Sequence, residues 1–260
     1  MTQGSRVAVK VWDLPVRLFH WIITVLFVFQ LVTGKVGGEL MQWHKLSGYA
    51  ILTLVVFRIL WGFAGSTHSR FSSFMAGPVK TWRFALRLFS RQAVPQLGHN
   101  PLGGWSVMAM VATLAVQGVT GLFANDGVSH EGPLSPLVSL DASNLMTDIH
   151  DWNLKLIVLL VTIHILAVVF HLVVKKDEVV VPMFTGVKHV PPELLRERRE
   201  MPRGSALRRA ASREHSASYI VSSRRALALF VAAVALVGVV VVVLPRVIEH
   251  AGDRNIPGFE

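Results

Sequence analysis

Five long apolar runs constrain this chain more than anything else in it. They lie at roughly 18–34, 43–64, 102–124, 149–174 and 226–245, and each approaches the ~20 residues that a helix needs to cross the hydrocarbon layer of a bilayer. Lipid offers the backbone no hydrogen-bond partners, so runs of this length are predicted to be helices that satisfy their own amides. The first run is the shortest, and it ends Leu31-Val32-Thr33-Gly34-Lys35 without a small-x-small cleavage pattern. It therefore reads as an uncleaved span rather than a signal peptide. With 52% of 260 residues apolar, the expected fold class is an all-α membrane protein. Four spans within 1–174 form a transmembrane bundle, and 226–245 adds one C-terminal transmembrane helix.

Charge is distributed by loop. The net +10 comes from Arg6, Lys10 and Arg17 before the first span and from Arg70, Lys80, Arg83, Arg87 and Arg91 between the second and third. A dozen Lys and Arg residues in 175–225, among them Lys175, Lys176, Arg196, Arg198, Arg199, Arg208 and Arg209, make up much of the rest. The alternate connections are poor in basic residues, and 125–148 has none but carries Asp126, Glu131, Asp141 and Asp148. This is the positive-inside pattern. It predicts a multi-pass protein with a cytoplasmic N-terminus and, after five crossings, a C-terminus on the far side. The basic charge is then a topology signal, with anionic lipid headgroups as its natural contacts, and nucleic acid is not an expected partner. Residues 175–225 are expected to be a basic cytoplasmic segment, partly helical and partly disordered, and 246–260 a short outer tail. Residues 80–89 alternate apolar and basic positions at helical spacing, as an interfacial helix does. No internal repeat and no soluble domain stand out.

The chain has no cysteine, which excludes thiolate metal sites, cysteine-held iron–sulfur clusters, covalent haem attachment and disulfides. Histidine is what remains. Of eleven histidines, His20, His44, His150, His164 and His171 sit in or at the ends of spans, where ionisable groups are costly and by default mark function. At a span end an interfacial position explains a single histidine equally well, but His164 lies well inside the fourth span. From His150 to His164 is fourteen residues, close to four helical turns, so the two project from one face about 21 Å apart along the axis. His171 follows on nearly the same face, about 10 Å further. By topology His44 and His150 lie towards the outer surface, and His20 and His164 towards the inner. Pairing by depth joins His44 with His150 and His20 with His164, each across two helices, as expected for two bis-histidine haems b in a bundle. A histidine metal site without haem is the alternative, though Asp151 is the only carboxylate inside the runs. Gly48, Gly118 and Gly121 would admit a macrocycle, or equally a neighbouring helix. Arg58, fourteen residues after His44, is expected to pair with a haem propionate or to snorkel to headgroups.

These residues resemble the bacterial cytochrome b561 and nickel–iron hydrogenase b-type cytochrome superfamily. The resemblance rests on Trp12-Asp13-Leu14-Pro15-Val16-Arg17-Leu18-Phe19-His20-Trp21, on Trp43-His44-Lys45-Leu46-Ser47-Gly48-Tyr49, on Arg58-Ile59-Leu60-Trp61-Gly62-Phe63 and on His150 through His171, and covers about 10–186. It implies a four-helix haem-binding bundle in which His20, His44, His150 and His164 are axial ligands to two haems. It also implies electron exchange between the quinone pool and a redox partner, with His171 and Arg58 lining a quinone pocket. The resemblance implies a bacterial inner membrane, with the far side periplasmic. The long basic segment and fifth span depart from the short four-span members of that family, so a partner known for those need not apply here.

The leading expectation is therefore a membrane electron-transfer subunit. Its partners would be membrane lipid, quinone or quinol, and a periplasmic or membrane-associated redox protein such as a c-type cytochrome or an oxidoreductase subunit docking at 125–148. A self-sufficient quinone-linked superoxide oxidase is the alternative. It calls for a basic outer funnel, whereas the outer loops are acidic. A haem-free anchor is the third reading, and it predicts a colourless protein.

Overall fold

The computed structural model of the chain describes residues 6–88, 98–192 and 223–253. The expectations for Arg91, for most of the basic segment (193–222) and for the last residues of the outer tail (254–260) lie outside them. In chain order the elements are β1 (Val7–Lys10), α1 (Leu14–Val36), α2 (Met41–Ala64), α3 (Phe71–Phe74), α4 (Pro78–Leu86), α5 (Pro101–Phe123), α6 (Leu140–Val173), α7 (Val181–Thr185), β2 (Val187–Val190), α8 (Ser223–Gly238) and α9 (Leu244–Asp253). Among the described residues five helical stretches are long and apolar enough to cross a membrane: Leu14–Val36, Gly38–Ala64, Pro101–Phe123, Leu140–Val173 and Arg224–Ile248. The all-α membrane architecture read from the five runs is the one observed, with one small sheet added.

The chain divides into two compact units. The first comprises the described residues within Met1–His20, Ile59–Ala109 and Leu160–Ala226. Its organising group is Asp13, only 5% exposed. Asp13 precedes α1, and its Oδ1 accepts the Val16 amide at 2.9 Å, an N-cap that satisfies one of the donors a helix start leaves free. Its Oδ2 accepts the Trp61 indole N–H at 3.0 Å and the Ser69 hydroxyl at 2.6 Å, together with the Ser66 hydroxyl. One carboxylate thus ties the start of α1 to the last turn of α2 and to the turn that follows. Just upstream, β1 pairs antiparallel with β2, Val7 opposite Val190 and Lys10 opposite Val187, and the Val11 and Trp12 amides both donate to the Gly186 carbonyl. On α4 the exposed Val79, Trp82 and Leu86 form one stripe at three- and four-residue spacing, as an interfacial helix presents. Asn100 caps α5 by accepting the Gly103 amide at 2.7 Å, with Pro101 at the first helical position where its missing N–H costs nothing.

The second unit comprises the described residues within Trp21–Arg58, Met110–Leu159 and Leu227–Glu260. Gly37 and Gly38, both at positive φ (66° and 57°), make the reversal between α1 and α2, a conformation that side-chain-bearing residues rarely adopt. Leu52, Leu122, Leu134 and Val237 form a buried cluster, with Tyr49, Val56, Phe123, Leu137, Val240 and Val241 packed against it.

The structure adds to the sequence reading in three places. The fourth span begins at Leu140, not at 149, because Ser139 Oγ accepts the Ala142 amide and Asp141 sits in the first turn. Capping chemistry starts this helix ahead of the apolar run that hydropathy detects. Residues 175–192 hold the helix α7 and also the β2 strand that pairs with β1. The fifth span packs into the second unit: Ala233 is fully buried, Val237 joins the core cluster, and the Phe230 ring meets the Phe57 ring at 5.9 Å. Residues 230, 233 and 237 share one helical face, and an all-apolar run gives no polar contrast by which to see it. Between α8 and α9 the helix widens to a π-turn over Val239–Val243, immediately before Pro245, which lacks an N–H and whose ring crowds the carbonyl four residues back.

Removing the Asp13 carboxylate strips a helix cap and leaves the buried Trp61 indole without its acceptor. Asp13→Ala is expected to cost about 2–4 kcal/mol, read as a lower thermal midpoint in detergent. Asp13→Asn, which keeps the cap, should cost less.

Candidate functional site

Each unit contains one facing pair of histidines. In the first, His20 on α1 and His164 on α6 have ring centres 6.5 Å apart with planes inclined at 54°. In the second, His44 on α2 and His150 on α6 are 6.4 Å apart and inclined at 72°. These are the pairs expected from depth. Two imidazoles bound to opposite sides of one metal, with bonds of about 2 Å and ring radii of about 1.1 Å, have centres about 6.3 Å apart. Both pairs match that spacing. Among the described residues no group of three or more His, Cys, Asp or Glu side chains is placed to hold a bare metal ion. Two ligands per site suit a metal that brings its own equatorial donors, as haem iron does, and the residues present fit that group.

The second pair has a set of hydrogen-bonded neighbours that sequence reasoning missed. His44 Nδ1 lies 3.3 Å from Thr33 Oγ1 on α1. His150 Nδ1 lies 3.0 Å from the Gln117 carbonyl and 3.2 Å from Thr120 Oγ1 on α5. The Gln30 amide group donates to the His44 carbonyl at 2.7 Å and to Ser47 Oγ at 3.1 Å. Gln117 Oε1 accepts Asn153 Nδ2 at 2.6 Å. Space for the rings comes from glycine: a Cβ at Gly34 would stand 2.8 Å from His44 Cε1, and one at Gly121 would stand 3.0 Å from His150 Cε1. Gly118 serves helix packing instead, facing Leu52, and Gly48 faces the Gln30 amide. A signal for this was present and passed over. Gln30-Leu31-Val32-Thr33-Gly34 and Gln117-Gly118-Val119-Thr120-Gly121 share the pattern Gln-x-Val-Thr-Gly, so the sequence does contain a short internal repeat.

His171 and Arg58 belong to different units. His171 Nε2 lies 3.5 Å from the Asn100 amide and its Nδ1 lies 3.9 Å from Asp177, which Lys188 in turn holds at 2.8 Å. Arg58 is 3% exposed, a burial that sets the snorkelling reading aside. In the acidic connection, Asp126 does not present a free charge. Its Oδ1 accepts the amides of Val128, Ser129 and His130, each at 2.9 Å, and its Oδ2 meets the His130 ring at 3.2 Å.

Membrane-length helices bearing histidine pairs at axial spacing define the class of membrane b-type cytochromes. The comparison with known proteins agrees: the family model described as prokaryotic cytochrome b561 matches residues 11–186, and the chain belongs to that family. Three relatives are each described as a probable Ni/Fe-hydrogenase B-type cytochrome subunit. That of Bradyrhizobium diazoefficiens is 26% identical over 214 residues, covering 70% of this chain and 86% of the relative. That of Azotobacter vinelandii is 25% identical over 215 residues, covering 70% and 89%. That of Cupriavidus necator is 25% identical over 219 residues, covering 70% and 87%. No solved structure matches the chain significantly. The protein is thus a multi-pass membrane cytochrome of the haem b type that transfers electrons, and α8 and α9 lie beyond the family match.

The Asp126 turn has a defined pH response. The backbone amides of His130, Val128 and Ser129 hold its carboxyl well below the usual range. The contribution to folding is therefore complete above the unfolded value of about 3.9 and is lost only as pH falls through the lower folded value. At pH 4 the Val128, Ser129 and His130 amides should remain protected from hydrogen exchange, whereas Asp126→Ala should remove that protection at every pH.

Proposed function

We propose that the chain carries two haems b, one between His20 and His164 and one between His44 and His150, and moves electrons between the quinone pool and a partner oxidoreductase. The observation that carries this reading is the pair of axial ring spacings, 6.5 and 6.4 Å. Bound haem supplies reversible one-electron iron chemistry, and the protein's part is to bind, orient and insulate it. One unbroken helix, α6, carries a histidine of each pair. The remaining two come from α1 and α2, so the ligands rest on rigid elements rather than on loops. Arg58 is proposed as the buried cation for a haem propionate, which would satisfy both charges at membrane depth.

His171 is proposed to line the quinone site. Its ring, the Asn100 amide and the Asp177–Lys188 pair offer a donor and an acceptor for a quinone or quinol oxygen at the end of α6. The distribution of Lys and Arg supports a cytoplasmic N-terminus and a periplasmic C-terminus. By likeness to relatives described as hydrogenase cytochrome subunits, the partner is proposed to be a membrane-associated oxidoreductase of the nickel–iron hydrogenase type.

The test is haem stoichiometry and spectrum. The purified chain should show b-type Soret and alpha bands with about two haems per chain. His164→Ala and His150→Ala should each leave about one, with different residual alpha bands. A colourless protein, or a haem content unmoved by either substitution, would end this reading. His171→Ala should keep both haems but slow their reduction by a soluble quinol about 10-fold or more.

A further inference from the structure

The two Gln-x-Val-Thr-Gly segments sit at corresponding places, near the ends of α1 and α5, and corresponding residues make corresponding contacts. The threonine hydroxyl meets a histidine Nδ1, at His44 and His150. The glycine lies beneath that ring's Cε1. The glutamine side chain reaches the polar residue three positions beyond the histidine, Ser47 or Asn153. Such agreement between two separate helix pairs is not what generic apolar packing produces.

The hydroxyl geometry bears on which ring nitrogen holds the proton. A threonine hydroxyl has one proton and two lone pairs. Thr33 Oγ1 donates to the Phe29 carbonyl at 2.9 Å, and Thr120 Oγ1 donates to the Val116 carbonyl at 2.8 Å, the usual back-bond of a helical threonine. With its proton so placed, each oxygen faces the ring as an acceptor. Nδ1 therefore carries the hydrogen and Nε2 keeps its lone pair for a metal. At His150 the Gln117 carbonyl, which can only accept, imposes the same tautomer independently.

We propose that these segments are matched clasps, with Thr33 and Thr120 as positioning residues that hold His44 and His150 as Nδ1–H tautomers and set the potential of the haem between them. The proposal rests on the haem reading of that pair. Donation from Nδ1–H makes an imidazole a stronger donor and favours the ferric state, so losing an acceptor moves the midpoint to more positive potential. The two clasps match in redundancy as well. Both rings have a threonine and a glutamine backbone partner: Thr120 and Gln117 at His150, Thr33 and Gln30 at His44.

The experiment is potentiometric titration and haem quantification of the full chain in detergent. Thr33→Val, which keeps the shape and removes the acceptor, should move one of the two midpoints positive and weaken retention of that haem by about 10–100-fold. Thr120→Val should move the same midpoint in the same direction. Thr33→Ser, which restores the hydroxyl, should return it to the wild-type value. Should Thr33→Val fail to assemble, Thr120→Val carries the test alone, because Gln117 still holds the ring. Midpoints unchanged in both valine variants while both haems remain bound would overturn the clasps and leave the haem reading intact. Unchanged haem content in His44→Ala and His150→Ala would overturn the reading beneath it.

Discussion

A polar group at membrane depth must be satisfied by the protein, because the surrounding lipid offers neither donors nor acceptors. In this chain that requirement is met by helices for the backbone and by short local bonds for the hydroxyls. Thr33, Ser47, Thr53 and Thr120 each spend the hydroxyl proton on the carbonyl four residues back in their own helix. A lone pair is then left to accept from elsewhere, and at Thr33 and Thr120 what it faces is a histidine. The same bonds that make these side chains tolerable in a membrane meet the rings that the proposed function calls for.

A comparable economy governs the first unit. A buried carboxylate is costly unless its lone pairs are filled, and Asp13 fills them with an amide, an indole N–H and two hydroxyls. Because those donors come from α1, the end of α2 and the following turn, the group is a joint rather than a surface charge. The nearby Val11 amide bonds to the Gly186 carbonyl at 2.8 Å, and residues 11 and 186 are also the first and last of the family match. The segment shared with the family is thus closed by a backbone bond between its ends, and β1 with β2 extends that closure outward.

The short repeat extends to the spacing of charged residues along α2 and α6. Fourteen residues after His44 stands Arg58, and fourteen after His150 stands His164. One helix of the related pair thus carries two histidines and the other a histidine and an arginine. The proposed second ligand to His164 comes instead from α1, whose His20 faces it at 6.5 Å. Each proposed haem site is consequently shared between α6 and a different partner helix.

The sequence by itself determined the five spans and the candidate ligands. Both are dictated by transfer free energy: long apolar runs can only be buried in lipid, and a histidine inside such a run is expensive unless it is used. Spacing along an ideal helix even assigned the pairs. It did not place the start of α6, the packing of the fifth helix, the β1–β2 strand pair or the residues around His44 and His150. Hydropathy is blind to a cap such as Ser139 and to which face of an all-valine-and-alanine helix is buried. Strand pairing between residues 7–10 and 187–190, and a hydroxyl on one helix meeting a ring on another, depend on contacts between distant parts of the chain. Only the tertiary structure decided those, because periodicity reports a residue's own helix and not the neighbour it will touch.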